Sequence, residues 1–570
     1  MAAGSIKTIS EALASLSADH PSLLADLTRG DRVFWVGSGV SFGQVPGLET
    51  LLRRMFEFLQ AKIVAGSSDD PHLKALDEII RQHLPDQITA FESDPGGWTI
   101  PADLSDLTRS YSEVLGTEVD DQPLDYLLWE AVDVRETYGS PDIEPGFDHQ
   151  LIAYLIHEGV VTEIVTTNWD GLIERAAKDS APGVNPPPLA VIMSRETFRS
   201  ARGRCNLYKA HGCAVLARED EANREYLIAQ TADIAKWLNA SIYAPMVERL
   251  RTLARTRKSL MLGLSVQDYN LLAQIAGASE DLPWHWEPDD PAYLFAEPAI
   301  QASQRNVLQV AYDNYADNRG PICDSSATGM YSGLLLGAAV LHVVLDKLRV
   351  GIECATSFAG SGAVVDRLSA GVAHVGSRLA DDAAHDLGRL VEILRAGLSA
   401  MTNRYFDPAS DLGPNEYAPF YGHPLGEGVD EHFKRSGLPE LSVAVGLLGL
   451  GSKLGHWNLA IGTGCTIEPG VIELTSSHVS GRSIKIVLTR DWAATNALTG
   501  TEFWLTDPGD VLVIQATGEH ERRYTRGLVG GLGSGRTSKR DRRQVWLSDL
   551  EPSASDADRL VAAFRAEVSA

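Results

Sequence analysis

The run Arg32-Val33-Phe34-Trp35-Val36 is short, apolar and rich in β-formers, and it ends in Gly37-Ser38-Gly39-Val40-Ser41. Apolar positions then recur at helical spacing through Leu51-Leu52-Arg53-Arg54-Met55-Phe56-Glu57-Phe58-Leu59. That pattern predicts a strand, a glycine turn and a helix. Ahead of it, the stretch up to Leu24 reads as a short capped helix. From about Ala61 to Asp148 the pattern is helical and polar, with Pro and Gly punctuation at Asp94-Pro95-Gly96-Gly97 and Tyr138-Gly139-Ser140-Pro141, so it reads as a helical insertion. Strand-like runs return at 161–166, 207–210, 259–263 and 292–296 with helical stretches between them. Such alternation builds a parallel sheet covered on both faces. After about Asn318 the character changes: alanine- and leucine-rich helices run to about Asn403, a Pro/Gly/acidic loop spans Asp407 to Asp430, and alternating segments follow at 483–488 and 511–514. The expected organisation is an α/β domain over about 1–310, with the insertion at about 61–148, and a separate C-terminal α+β domain over 319–570.

A length of 570 residues allows about two to four cores of ordinary domain size. Hydrophobic content of 44% with 22% charged residues excludes a disordered or fibrous chain. The formal charge of -26 repels nucleic acid over most of the surface, so any such contact must be local. One basic cluster runs against this balance: Arg522, Arg523 and Arg526, then Gly530 to Gly535, then Arg536, Lys539, Arg540, Arg542 and Arg543. It reads first as a solvated loop between strands and second as a local contact to phosphates or to an acidic partner. Its glycine run lacks the Lys-Ser/Thr of a phosphate-binding loop, which argues against ATP hydrolysis. The five cysteines (Cys205, Cys213, Cys323, Cys354, Cys465) form no CxxC pair, so neither a zinc module nor a disulfide framework is expected. The opening residues do not read as a secretion signal, and the apolar stretch Gly333 to Leu345, interrupted by His342, reads as too short to cross a bilayer. A reducing cytoplasm, with no membrane partner, is the expected setting.

Four short motifs stand at predicted strand ends. Gly37-Ser38-Gly39-Val40-Ser41 has the form that lets backbone N–H groups approach a pyrophosphate, although alone it reads as a plain tight turn. Thr166-Thr167-Asn168-Trp169-Asp170 leads into the helix that begins Gly171-Leu172-Ile173, where Asn168 or Asp170 would equally serve as a helix cap. Lys209-Ala210-His211-Gly212 offers an imidazole suited to general-base work, although a lone histidine after a strand is more often structural. Gly263-Leu264-Ser265-Val266-Gln267-Asp268 repeats the glycine-and-hydroxyl pattern.

In that order and context the four motifs resemble the sirtuin family, and in particular the sirtuin-like domains of bacterial anti-phage systems. The second motif of those domains usually reads Thr-Thr-Asn-Tyr-Asp, where this chain has Trp169. The likeness covers about half the chain and implies a Rossmann-like fold that uses NAD. It implies that Asn168 sits beside the nicotinamide ribose and orients the attacking group, that Asp170 helps hold the nicotinamide end, and that His211 is the general base. Gly37, Ser38, Gly39, Ser41 and Thr166 would hold the pyrophosphate and adjoining ribose, with Gly263, Ser265 and Asp268 toward the adenosine.

Departures from the family are equally informative. Deacylating sirtuins carry two CxxC pairs after the histidine, whereas Gly212 to Ser259 holds only Cys213. The Phe-Gly-Glu stretch that binds a peptide backbone is replaced by Glu225-Tyr226-Leu227-Ile228-Ala229-Gln230, and Gln44-Val45-Pro46-Gly47-Leu48 lacks the Asp-Phe-Arg of deacylases. The expectation is an NAD hydrolase, without zinc, releasing nicotinamide and ADP-ribose as the effector of an anti-phage (abortive infection) system. An ungated NAD hydrolase would kill its host, so homo-oligomerisation or a partner should gate it. Related systems pair with a HerA-like ATPase or a short Argonaute, and the mildly acidic C-terminal half favours the ATPase. The rival readings are a protein deacylase or ADP-ribosyltransferase, and a non-catalytic NAD or ADP-ribose sensor that scaffolds a complex.

Overall fold

The computed structural model describes residues 6–569 apart from 65–66, 68, 267–268, 427–428, 462–467, 477–482, 500–510 and 518–542. Helix α1 (Ile9–Asp19) opens with a capping box: the Thr8 hydroxyl accepts the Glu11 N–H at 3.1 Å and the Glu11 carboxylate accepts the Thr8 N–H at 3.1 Å. Helix α2 (Pro21–Arg29) delivers the chain to β1 (Arg32–Val36). After the glycine turn come α3 (Leu48–Lys62) and further short helices, then α4 (Phe147–His157), β2 (Glu163–Thr166) and α5 (Leu172–Asp179). Strands β3 (Leu189–Ile192), β4 (Cys205–Lys209), β5 (Lys258–Leu262) and β6 (Tyr293–Phe295) complete a sheet of order β3-β4-β2-β1-β5-β6, every pair parallel.

Because side chains alternate across a strand, β1 feeds two cores. Phe34 and Val36 join one cluster with Ile164, Leu260 and Leu262, while Val33 and Trp35 join another with Val165, Met261 and Phe295. Helices cover both faces, so the sheet is Rossmann-like, as the strand and helix alternation predicts. The edge strand β3 escapes the sequence pattern because Leu189-Ala190-Val191-Ile192 is only four residues long and directly follows Pro186-Pro187-Pro188.

The C-terminal half begins with α6 (Ser332–Cys354), α7 (Gly362–Ala383) and α8 (Leu387–Glu392) and continues through α9 (Leu438–Lys453) to a second, mixed sheet of order β11-β10-β9-β8-β7. Its strands are β7 (Trp457–Ile461), β8 (Ile472–Ser476), β9 (Ser483–Thr489), β10 (Val511–Gln515) and β11 (Arg543–Trp546), antiparallel from β7 to β9 and parallel from β9 to β11. The apolar stretch from Gly333 lies within α6 as a buried helix, and among the described residues no helix is long and apolar enough to cross a membrane. The basic cluster from Arg522 to Arg542, with its glycine run, lies outside the described residues.

One continuous core joins the halves, running from Phe34 and Val36 through Leu151–Ile156 of α4 and Leu335–Leu348 of α6 to Ile486 and Leu512 of the second sheet. At the seam, Glu158 and Lys347 form an ion pair at 2.8 Å with both side chains fully buried. Lys347 also donates to the Glu158 and Tyr421 carbonyls, while Glu158 accepts from the Tyr417 hydroxyl at 2.9 Å and the Phe420 N–H at 2.8 Å. Every charge and lone pair at this junction is thereby directed to a partner, the condition under which a buried pair is tolerated.

His157, at the end of α4, sits beside Ser180 (Nε2–Oγ 2.7 Å), and burial pushes its pKa down to about 4. Above the unfolded value of about 6.5 both states are neutral and stability is complete. As pH falls toward about 4 the unfolded chain takes up a proton that the folded chain refuses, costing on the order of 3 kcal/mol. Urea midpoints should therefore fall between pH 7 and pH 4.5, and His157→Gln should flatten that fall.

Candidate active site

The sheet register sets four motifs on one rim. Val36 pairs with Thr166 on one side and with Leu262 on the other, and Thr166 pairs with Lys209. Gly37, Asn168, His211 and Gly263 therefore follow four adjacent strand ends at one level. The chain passes from β1 to β2 on one side of β1 and returns to β5 on its other side, so this rim is also the switch point at which α/β sheets bind ligands.

The rim is drawn together by close backbone approach. Gly37 N–H donates to the Leu262 carbonyl at 2.9 Å and Gly39 N–H to the Gly263 carbonyl at 3.0 Å. A Cβ on Gly37 would lie 2.6 Å from the Gly263 oxygen, and one on Gly39 would lie 2.7 Å from the Gly263 Cα. Gly263 itself has φ +56. Three glycines are thus required for the β1 and β5 turns to meet, while Ser38, Gly39 and Ser265 remain exposed at the rim. Gly37→Ala should cost about 1–3 kcal/mol through this overpacking, which thermal melts would register.

Behind the rim lies a buried polar network centred on Ser41. Its hydroxyl donates to Asp170 Oδ2 at 2.9 Å and accepts from Asn168 Nδ2 at 3.3 Å. The same Asn168 amide donates to the Gly37 carbonyl at 3.1 Å. Thr166 completes the turn, its hydroxyl donating to the Val36 carbonyl at 2.9 Å and accepting the Asn168 N–H at 3.0 Å. Asp170 Oδ1 accepts the N–H of Leu172, the first residue of α5, at 3.2 Å, so this residue ties the start of α5 to Ser41. Both of its oxygens are engaged within the protein.

A further member of the network is His149, on the first turn of α4. Its Nδ1 accepts the Gly146 N–H at 3.1 Å, which leaves the ring proton on Nε2, 3.1 Å from the Ser41 oxygen. Burial lowers its pKa, with the Asp170 carboxylate acting the other way, so the ring is held neutral. Sequence reasoning passes over His149 because three residues after Gly146 it reads as an ordinary helix cap; its second nitrogen meets Ser41 only in three dimensions. Lys209 is a second omission. Fully buried, it donates to the Asp170 carbonyl and pairs with Glu174 at 3.1 Å. Burial acts to lower its pKa, but Glu174 and neighbouring negative groups leave it above its ordinary value and therefore charged.

His211 follows β4 in the register already given, its backbone carbonyl accepting the Ile228 N–H at 3.1 Å and its ring set edge-on to Trp237. The segment after it is closed over: Leu227, Ile228, Ala229 and Gln230 are all buried, and the Gln230 amide donates to the Leu115 and Leu124 carbonyls in the stretch between β1 and β2. Trp169 packs into the same helical core, edge-on to Tyr138, whose hydroxyl donates to the Pro46 carbonyl at 2.9 Å. Ser265 meets Ser303 through its backbone carbonyl, and Asp268 lies outside the described residues. A cavity of about 640 Å³ is lined by Gln44, Pro46, Arg54 and Val132 among others, with none of the four strand-end motifs in its lining.

Residues 162–313 match the SIR2-like domain family, which supports a sirtuin-like assignment and implies NAD use. The match takes in the motifs around Asn168, His211 and Gly263 and leaves out Gly37–Ser41, which the sheet brings alongside them. No curated protein matches the chain.

Proposed function

We propose that this chain hydrolyses NAD to nicotinamide and ADP-ribose. The observation that carries the reading is the Asn168–Ser41–Asp170 network, set beside the strand end that bears His211 in a SIR2-like domain. Cleaving the bond from nicotinamide to ribose develops oxocarbenium character, so catalysis needs a placed nucleophile and polar groups matched to that charge. Gly37 and Ser41 hold the Asn168 amide nitrogen, which leaves its carbonyl oxygen to orient a water or a ribose hydroxyl. Water attacks the anomeric carbon, nicotinamide leaves with the bonding electron pair as the neutral ring, and His211 takes the proton given up by the water.

Burial of Leu227 to Gln230 favours hydrolysis over deacylation, because the segment that would pair with a substrate peptide is already covered by the chain itself. The motif likeness supports a role as an anti-phage effector in the cytoplasm, gated by assembly with itself or with a HerA-like ATPase. Nicotinamide release from NAD by the full chain, with and without an acyl-lysine peptide, tests the reaction. Release is expected to be independent of peptide; release that requires it would instead make the chain a deacylase, and an activated assembly that binds NAD yet leaves it intact would make it a sensor.

A further inference from the structure

Three consecutive residues at the start of α4 look in two directions. The Phe147 ring stands against α8, where a Cβ on Gly388 would fall 2.9 Å from its Cζ. Asp148 Oδ2 accepts the hydroxyl of Ser332, the first residue of α6, at 2.5 Å. Gly333 permits that approach, since a Cβ there would lie 2.9 Å from Asp148 Oδ1 and 2.5 Å from Leu387. The third residue, His149, turns the other way, onto Ser41. Both α6 and α8 belong to the C-terminal half.

We infer that Asp148 is a positioning residue, through which the first turn of α6 in the C-terminal half sets the histidine that holds Ser41. The physical basis is the stiffness of a single helical turn: residues 147–149 share one backbone segment, so a shift of that turn at the Ser332 contact carries the His149 ring with it. Ser41 in turn receives Asn168 and binds Asp170, which makes the chain of contacts from α6 to the rim continuous: Ser332, Asp148, His149, Ser41, Asn168. A displacement of α6, by assembly or by a partner seated on the C-terminal half, reaches the rim by this route without any ligand contact of its own.

The inference rests on the NAD-hydrolase reading for its consequence, but not for its test. The full chain labelled with ¹⁵N-histidine gives a ring signal for His149, assigned by its loss in His149→Gln. Wild type should show a single tautomer with the proton on Nε2. Ser332→Ala, which removes one hydroxyl, and Asp148→Ala should both shift the Nε2 resonance as its contact to Ser41 is disturbed, with the tautomer kept by the Gly146 N–H, whereas Asp148→Asn, which keeps an acceptor oxygen, should leave it at the wild-type position. An unchanged His149 signal in both alanine variants overturns the inference, whatever the enzyme does with NAD. In turnover, the same two variants should lower kcat, by up to about 10²-fold if the rim is misplaced by an ångström, with KM little changed and the double variant no worse than the singles. Additive losses would also overturn it. A wild type that releases no nicotinamide would count against the hydrolase reading alone, since the ring signal decides the coupling separately.

Discussion

His211→Ala is expected to leave NAD binding near the wild-type level and to lower nicotinamide release about 10²–10⁴-fold, the usual contribution of a positioned acid or base. The reason is geometric. β2 and β4 pair in parallel through Thr166 and Lys209, so the imidazole and the Asn168 amide each stand two residues beyond the same rung. Asn168→Ala should be at least as damaging, because the amide that joins the Gly37 carbonyl to Ser41 is lost and the turn after β2 is released. In cells that also express a HerA-like ATPase partner and are challenged with phage, wild type should deplete NAD and Asn168→Ala should spare it. Equal depletion by both would mean that the site has been placed on the wrong residues.

Lys347→Met should cost about 3–5 kcal/mol, the usual consequence of breaking a buried ion pair from one side. The variant leaves Glu158 fully buried with hydroxyl and N–H donors but no cation, at the seam between the two halves. The double variant Glu158→Gln/Lys347→Met removes both charges and should recover much of the loss, which separates the cost of an orphaned charge from the net worth of the pair. Urea unfolding of the wild type, the single and the double variant measures both effects. A single variant as stable as wild type would show that the seam tolerates an unpaired carboxylate, contrary to the geometry.

The four central strands of the first sheet are legible in the sequence because they are buried on both faces, and continuous apolar runs such as Val33-Phe34-Trp35-Val36 leave little ambiguity. The motifs are legible for a related reason: each follows directly from such a run, so chain order alone brings Gly37, Asn168, His211 and Gly263 to one edge. What escapes is the part of the site supplied from elsewhere. His149 belongs to a helix that precedes β2, and its role depends on a ring nitrogen whose partner, Ser41, is more than a hundred residues distant in the chain. Lys209 hides in plain sight, since a lysine beside a strand-end histidine reads as a solvated charge until its burial against Asp170 and Glu174 is seen. In the second sheet β9 carries alternation and β10 is a continuous apolar run, but β7 and β11 contain Trp457-Asn458 and Arg543-Gln544, and their polar positions mask the pattern. The fusion of the two halves through one core has no local signature at all, because it is made by apolar helix faces that look alike whether they cover their own sheet or another.

A structure of the full chain with NAD bound decides whether Asn168 and His211 share one ribose. The nicotinamide ribose is expected within hydrogen-bond reach, about 2.6–3.2 Å, of both the Asn168 amide and the His211 ring. A ribose that meets only one of them, or NAD seated in the 640 Å³ cavity lined by Gln44, Pro46 and Arg54, would contradict this assignment.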